Sequence, residues 1–525
     1  MLSPLYITIL LAVIYPSYQL YNSLRYRLQA RNAGCSSPSK YRHKDPILGL
    51  DLFLRRIESM KLGDTLALDQ NLFDTYGKTV QTNVWGTKQY VTMDAKNIQT
   101  ICATQVDRFG SAPMNNAPCK PFLGDGIITV DGAHWKHSRN LINPIFARAQ
   151  IAELSTFGSH VRRMIGKIPK DGSTIDMQPL LKMLFLDSNT EFIFGESANS
   201  LALETSSVIA RRLPAIFDDA LKGMRKRFVL GKLAFLAGSD KEWLGKCAEV
   251  HAIIDGFIEE EIRVKQLAKR DELSKKSKSE ETPYSYVLLK ELVRATDDKI
   301  FIRNELMNVF FPARDTTAAM TGNILFLLAR HPEVWNTLRK EVLAVGEQEL
   351  TFELLKSMKY MNAVMSEGKS FIRRPLTDDE KLRLYSLGLR LLNPVARSWK
   401  TCTQTCILPH GGGPNGDKPI LLQPGDQVDM SFASMHVDPD IWVTDSRKFK
   451  PERWIGLKHS WNFIPFFGGR RTCPAQQNVL TDMSYVLTRL MQEFKYCENR
   501  DEYKNYVEEF VFTKESRNGV KVAFL

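Results

Sequence analysis

The chain has 525 residues, is 43% hydrophobic and 25% charged, and carries a formal net charge of +12. Its eight cysteines are scattered, which excludes a disulfide framework and suggests a reducing compartment. No solenoid repeat is visible and the basic residues form no nucleic-acid motif, so the positive balance fits a membrane face or an acidic protein partner, and no nucleic acid.

Met1 to Leu24 carry no charge, and Arg25, Arg27, Arg31, Lys40, Arg42 and Lys44 come after them. About 20 apolar residues span a bilayer as a helix. Residues 1–24 are therefore expected to be a transmembrane anchor, with Tyr15, Tyr18 and Tyr21 in an interfacial belt. Residues 25–45 are a basic linker, and the positive-inside rule puts the chain beyond Arg25 in the cytosol. Pro16 shortens or kinks the span, so a helix lying partly in the interface is the alternative. No basic start or small-residue cleavage site marks a signal peptide.

"GKTVQTNVWGTKQYVTMDA" carries short β-type runs broken by glycine. Residues 135–320 are mostly helical in pattern. "RVKQLAKRDELSKKSKSEET" is expected to be a solvated connector. A long, largely apolar helix is expected from Asn304 to Leu328, and "HPEVWNTLRKEV" opens another with Pro at its first position. Residues 402–432 suggest strands and turns. "GGGPNG" at 411–416 matches G-x-G-x-x-G but lacks strand–helix context, so it is no dinucleotide site. Cys402, Cys406 and His410 lack a fourth ligand for zinc.

"FFGGRRTCPAQQ" occupies 466–477. Val479, Leu480, Met483, Val486, Leu487, Leu490, Met491 and Phe494 then recur at helical spacing. Pro474 suits the first helical position, which makes Cys473 the N-cap. Backbone N–H groups, the helix dipole, Arg470 and Arg471 would all favour the thiolate, hence a nucleophile or metal ligand. A buried structural cysteine is the alternative.

Five stretches decide it. "FFGGRRTC" fits F-x-x-G-x-R-x-C as Phe466, Gly469, Arg471 and Cys473; "FKPERW" precedes it; "EKLRLY" supplies E-x-x-R; "ARDTT" lies in the long helix; "WKHSR" supplies W-x-x-x-R. In this order and at these separations the chain resembles a cytochrome P-450, most like the fungal microsomal branch that includes alkane and fatty-acid hydroxylases. The resemblance implies a mainly α fold with small β-sheets: one haem domain, residues 46–525, behind the anchor. It implies haem b with Cys473 as axial thiolate to iron. Trp135, Arg139, Arg397 and Arg471 would pair with the propionates, and Phe466 would pack beside the thiolate. Pro474 has no N–H, so Ala475 and Gln476 must donate to the sulfur. Asp315 and Thr316 match the family's acid–alcohol proton relay. Pro312 would free the carbonyl of Asn308 and kink the helix beside the oxygen site.

Glu380, Arg383 and Arg453 would form a buried ion network. Excising residues 369–381 joins Glu367-Gly368 to Leu382-Arg383 and restores the same motif, so that stretch is an insertion or a gene-model artefact. The resemblance further implies a monooxygenase on the endoplasmic reticulum membrane, single-pass, with its catalytic domain in the cytosol. Electrons would come from NADPH-cytochrome P-450 reductase. The substrate would be apolar, a fungal secondary-metabolite intermediate or a fatty acid or alkane. Competing readings are a reductase-independent isomerase or dehydratase, and an inactive haem-binding relative.

Overall fold

The computed structural model describes residues 4–149, 154–202, 208–231, 240–274, 287–366, 390–442, 454, 460–503, 505–510 and 512–525. The ion-network residues Glu380, Arg383 and Arg453, the alternative Glu367 and the stretch 369–381 lie outside them.

The fold is mainly helical, and one helix organises it. Lys299–Leu328 is longer at its start than its apolar pattern suggests, because Asp298 caps it by accepting from Ile300 N and Phe301 N. A helix apolar all round must be buried. It packs along the helix Met177–Phe194. Its first half joins a core with Phe122, Phe217 and Ile254, and its second half a core with Trp335, Leu338 and Leu487. Two buried asparagines tie loops to it. Asn308 donates to Leu123 O (2.9 Å) and accepts from Ile128 N (3.0 Å). Asn323 donates to Leu392 O (3.0 Å) and Lys514 O (3.2 Å) and accepts from Tyr506 OH (2.8 Å). Helix assignment continues through Pro312.

A six-stranded sheet lies over a third core. Its order is Ser39–Lys40, Thr79–Val84, Thr87–Thr92, Gln427–Ser431, Arg397–Cys402, Phe109–Gly110. The β-type runs after Gly77 form its hairpin, turning at Trp85 and Gly86 with φ of 53° and 70°. The glycine string at 411–416 turns a second hairpin, Cys406–Gly412 with Lys418–Leu422, in keeping with its loop-and-strand pattern. The helix Pro332–Ala344 opens on its proline. The charge run at 263–282 departs from expectation: the helix Lys241–Ser274 continues into it.

The N-terminal expectation also needs correcting. Pro4–Asn32 is one helix, so it runs past residue 24 and takes in part of the expected linker. Among the described residues no helix is long and apolar enough to cross a membrane. The physical reason is length: the mostly apolar run, already interrupted by Thr8, gives way to Ser17, Gln19, Asn22 and Ser23, well short of the roughly 20 apolar residues a span needs. Beyond that point Leu20, Tyr21, Leu24 and Leu28 are exposed at helical spacing, while Tyr26 OH donates to Leu421 O at 2.9 Å.

Arg397 lies in an ion cluster in the sheet. Its guanidinium bonds Asp69 and, at 3.0 Å, Asp429, while Arg56 stands 3.6 Å from Asp429. Ser431 Oγ also donates to Asp69 (3.1 Å). Burial pushes the Asp429 carboxyl up, and the Arg397 and Arg56 charges oppose it. Removing one partner strands the others. Arg397→Ala is therefore expected to cost about 3–5 kcal/mol of stability, measured by urea unfolding. A loss below about 1 kcal/mol would place this cluster with ordinary surface ion pairs.

Candidate active site

The loop before the last long helix folds tightly. Phe467 N donates to Ile464 O (3.0 Å), Thr472 N to Gly469 O (3.2 Å) and Cys473 N to Phe466 O (3.0 Å). Gly469 has φ +69°, and a Cβ there would stand 2.0 Å from the Cys102 carbonyl oxygen. Only glycine meets both conditions. The helix itself begins at Gln476, with Ala475 in the capping position. Cys473 is thus not the N-cap. Pro474 and Ala475 form a turn between them.

The thiol's state also differs from expectation. Burial pushes Cys473 up from its ordinary value; the Ala475 N–H and the Arg139 charge pull the other way. The adjacent arginines are engaged elsewhere, Arg470 with Asp107 (2.8 Å) and Arg471 with Asp131 (2.5 Å). A free thiolate is therefore not preformed. The expected donor Ala475 is present.

Cys473 lies deep in the protein yet exposes surface, as do all residues from 471 to 480. On the central helix, residues 311–313, 315 and 316 do the same, between stretches that are mostly buried. Both segments therefore keep free surface where their neighbours are packed. Asp315 and Thr316 belong to this open part of the helix. Burial pushes the Asp315 carboxyl up, opposed by the charges of Arg314 and Lys182 and reinforced by Asp218. Arg314 Nε is 3.4 Å from Asp315 Oδ1, and Arg314 pairs with Asp218 at 2.7 Å. Lys182 in turn pairs with Glu515 at 2.8 Å. Asn189 Nδ2 donates to Ala313 O (3.1 Å), a second donor to a helical carbonyl just after Pro312. Three aromatic rings from distant segments meet nearby: Phe512 packs edge-on against Phe311 (5.3 Å) and Phe228 (5.9 Å).

A cation cluster lies on the thiol side. Arg471 donates to Val130 O (2.9 Å), and its guanidinium carbon sits 4.6 Å from the Trp135 ring. Arg139 is desolvated and feels the Cys473 charge. Lys400 is buried, hydrogen-bonded to Ser111, and lowered to about 8 by burial and by the Arg471 charge. Among the described residues, the only carboxylate paired with these three cations is Asp131. Desolvated positive charge in such excess calls for an anionic ligand. Arg139, Arg471 and Lys400 are groups that could hold the two carboxylates of a haem.

The structure thus brings together Trp135, Arg139, Arg471 and Cys473, with Phe466 packed against the core beside them. It holds Arg397 on the ion cluster described above. Lys400 is the residue that sequence reasoning misses. Strand parity is the available signal: residues three apart on Arg397–Cys402 point to opposite faces, so Arg397 and Lys400 cannot share one site. Cys402 and Cys406 contact each other and His410 pairs with Asp94 (2.9 Å); among the described residues no cluster suits a metal ion.

The Cytochrome P450 family model matches residues 46–368 and 389–522. Cytochrome P450 monooxygenase apdE of Emericella nidulans is 35% identical over 480 residues, covering 91% of this chain and 86% of that protein. Cytochrome P450 52A12 of Debaryomyces hansenii is 32% identical over 516 residues, covering 94% and 92%. The crystal structure of the cytochrome P450DA heme domain superposes with a TM-score of 0.72 at 17% identity, covering 93% of this chain and 98% of that one, and so shares the fold. The chain belongs to the cytochrome P450 family, is a monooxygenase of that family, and takes haem-thiolate iron as its cofactor.

Proposed function

We propose that this monooxygenase acts at a membrane surface on an apolar substrate, with electrons passed from NADPH by a separate reductase. The observation that carries the reading is a deep but partly open thiol beside a cluster of desolvated cations, with an acid–alcohol pair on a partly open stretch of the central helix. Cys473 would ligate the iron, and Trp135, Arg139, Arg471 and Lys400 would hold the haem carboxylates. Haem iron, when bound, supplies the activation of O₂. The protein's own part is to orient, exclude water and deliver protons. Asp315, a carboxyl that burial raises, and Thr316, next in the helix, are the proposed groups for moving protons. Phe228, Phe311 and Phe512 give the site an apolar wall, which favours a substrate with little charge. A fungal secondary-metabolite intermediate is the proposed class, and a fatty acid or alkane the second.

Residues 369–381 are proposed to be an insertion or gene-model artefact, which the break in the family match after residue 368 supports. Glu380, or Glu367 after excision, would then pair with Arg383 and Arg453. Sequencing the spliced transcript tests it.

Cys473→Ser is expected to abolish the red-shifted Soret band of the reduced, carbon-monoxide-bound protein. Persistence of that band would reassign the ligand. Thr316→Ala is expected to retain haem but to divert reducing equivalents into peroxide, read as peroxide formed per NADPH. Unchanged coupling would remove Thr316 from the proton route.

The proposed attachment is to the cytosolic face of the endoplasmic reticulum through the N-terminal helix. Its exposed Leu20, Tyr21, Leu24 and Leu28 would sit in the interface, with Arg25, Arg27 and Arg31 near lipid headgroups. Apolar burial is not screened by salt, whereas each basic residue contributes about 1 kcal/mol that is. Full-length protein should therefore stay on microsomes in high salt and leave in alkaline carbonate. A form lacking residues 1–24 should leave in high salt alone. Retention of the full-length protein in carbonate would restore a spanning anchor.

A further inference from the structure

Cys402 ends one strand of the sheet and Cys406 begins the next hairpin, with only the exposed turn Thr403, Gln404 and Thr405 between them. Both side chains are buried, and their sulfurs are 3.7 Å apart. The backbone on either side is fixed. Cys402 N donates to Asp426 O, Gly425 N to Cys402 O and Thr403 N to Arg108 O, each at 2.8 Å. Arg108 holds the far side of the turn through Thr405 O (2.7 Å). The two thiols are therefore held together by the fold.

We propose that Cys402 and Cys406 form a modification site, a dithiol that hydrogen peroxide converts reversibly to an intramolecular disulfide, and that the change is felt at the cation cluster through Lys400. The gap must close from 3.7 Å to a bond of about 2.05 Å, a movement that the exposed turn and the end of the strand would share. The two thiols are inequivalent. Cys406 hydrogen-bonds to Cys402 and lowers it, and the Lys88 charge adds to this; the same contact pushes Cys406 up. In this proposal Cys402 is taken as the attacking sulfur and Cys406, 3.7 Å away, as the resolving one.

In the first step the Cys402 thiolate attacks one peroxide oxygen. The O–O bond breaks, hydroxide leaves and a sulfenic acid forms. In the second, the Cys406 sulfur displaces the sulfenic oxygen as water. Two thiols and one peroxide give one disulfide and two waters; sulfur is oxidised and peroxide reduced. Cys102 and Cys119 serve as internal controls, since burial pushes each up to about 12 and neither has a second sulfhydryl beside it. Lys400 is two residues before Cys402 on the same strand. Pulling the strand end towards Cys406 shifts the amine away from Ser111 and Arg471.

The test treats full-length, haem-loaded protein with hydrogen peroxide, alkylates remaining thiols, digests the chain and weighs the peptides. The expected result is an unlabelled Cys402–Cys406 peptide two hydrogens lighter than its reduced form, with a partial loss of bound haem. Dithiothreitol should reverse both, and Cys402→Ser should prevent both. Full alkylation of Cys402 and Cys406 after peroxide overturns the site. A disulfide that forms with haem retention unchanged overturns the switch. The wild-type mass shift decides the first point even where the serine variant fails to fold.

Discussion

The helix Lys299–Leu328 is the constraint on which the rest depends. Most of this helix is buried, and two asparagines inside it position loops that pack against it. Asn308 holds the segment around Leu123 and Ile128, and Asn323 holds Leu392 and the C-terminal hairpin at Lys514. Each bond satisfies a loop amide or carbonyl that would otherwise be stranded, at roughly 1–3 kcal/mol apiece. The loops so pinned carry Asp131 on one side and Phe512 on the other. The thiol side and the substrate side of the site are thus registered against one rod.

Electrostatics divides the interior between two kinds of cluster. The Arg56, Asp69, Arg397, Asp429 group is internally paired and contributes by not being broken. The Arg139, Arg471, Lys400 group has one carboxylate for three cations and is incomplete until an anion arrives. Cys473 fits the same logic. Burial favours the neutral thiol in the protein alone, whereas a coordinated metal removes the proton outright. With Cys473 as the ligand, the Ala475 N–H and the Arg139 charge would stabilise the negative sulfur. The protein prepares the surroundings of a thiolate without itself ionising the thiol.

The same division explains which features are legible in the sequence. The long helix, the hairpin at Trp85 and Gly86, the Pro332 helix start and the glycine loop before Cys473 are local: periodicity, turn chemistry and close backbone approach write them into consecutive residues. Motif spacing names Trp135, Arg139, Arg471 and Cys473, and the fold places them near one another. Arg397 misleads because a basic residue near the right place carries no label for the face it occupies. That face depends on pairing with Gln427–Ser431, a contact between distant segments. The proton affinity of Cys473 is hidden for a related reason. Helix-end and arginine effects are visible locally, but burial belongs to the whole fold, and here burial dominates. The N-terminal segment misleads because absence of charge is not apolarity, and Ser17, Gln19, Asn22 and Ser23 already end the apolar run.

The N-terminal helix is also mechanically continuous with the site. Tyr26 bonds the Leu421 carbonyl, and Lys88 lies 4.7 Å over the Tyr26 ring. Lys88 also pairs with Asp426 at 2.8 Å, and the Asp426 carbonyl accepts from Cys402 N, two residues beyond Lys400. The first three links are side-chain contacts, and the last is a backbone–backbone hydrogen bond. A helix resting on a lipid surface would therefore not be a loose tether. Its tilt would be transmitted to the strand that carries Lys400, so that orientation at such a surface and the geometry of the proposed cation cluster would depend on the same sheet.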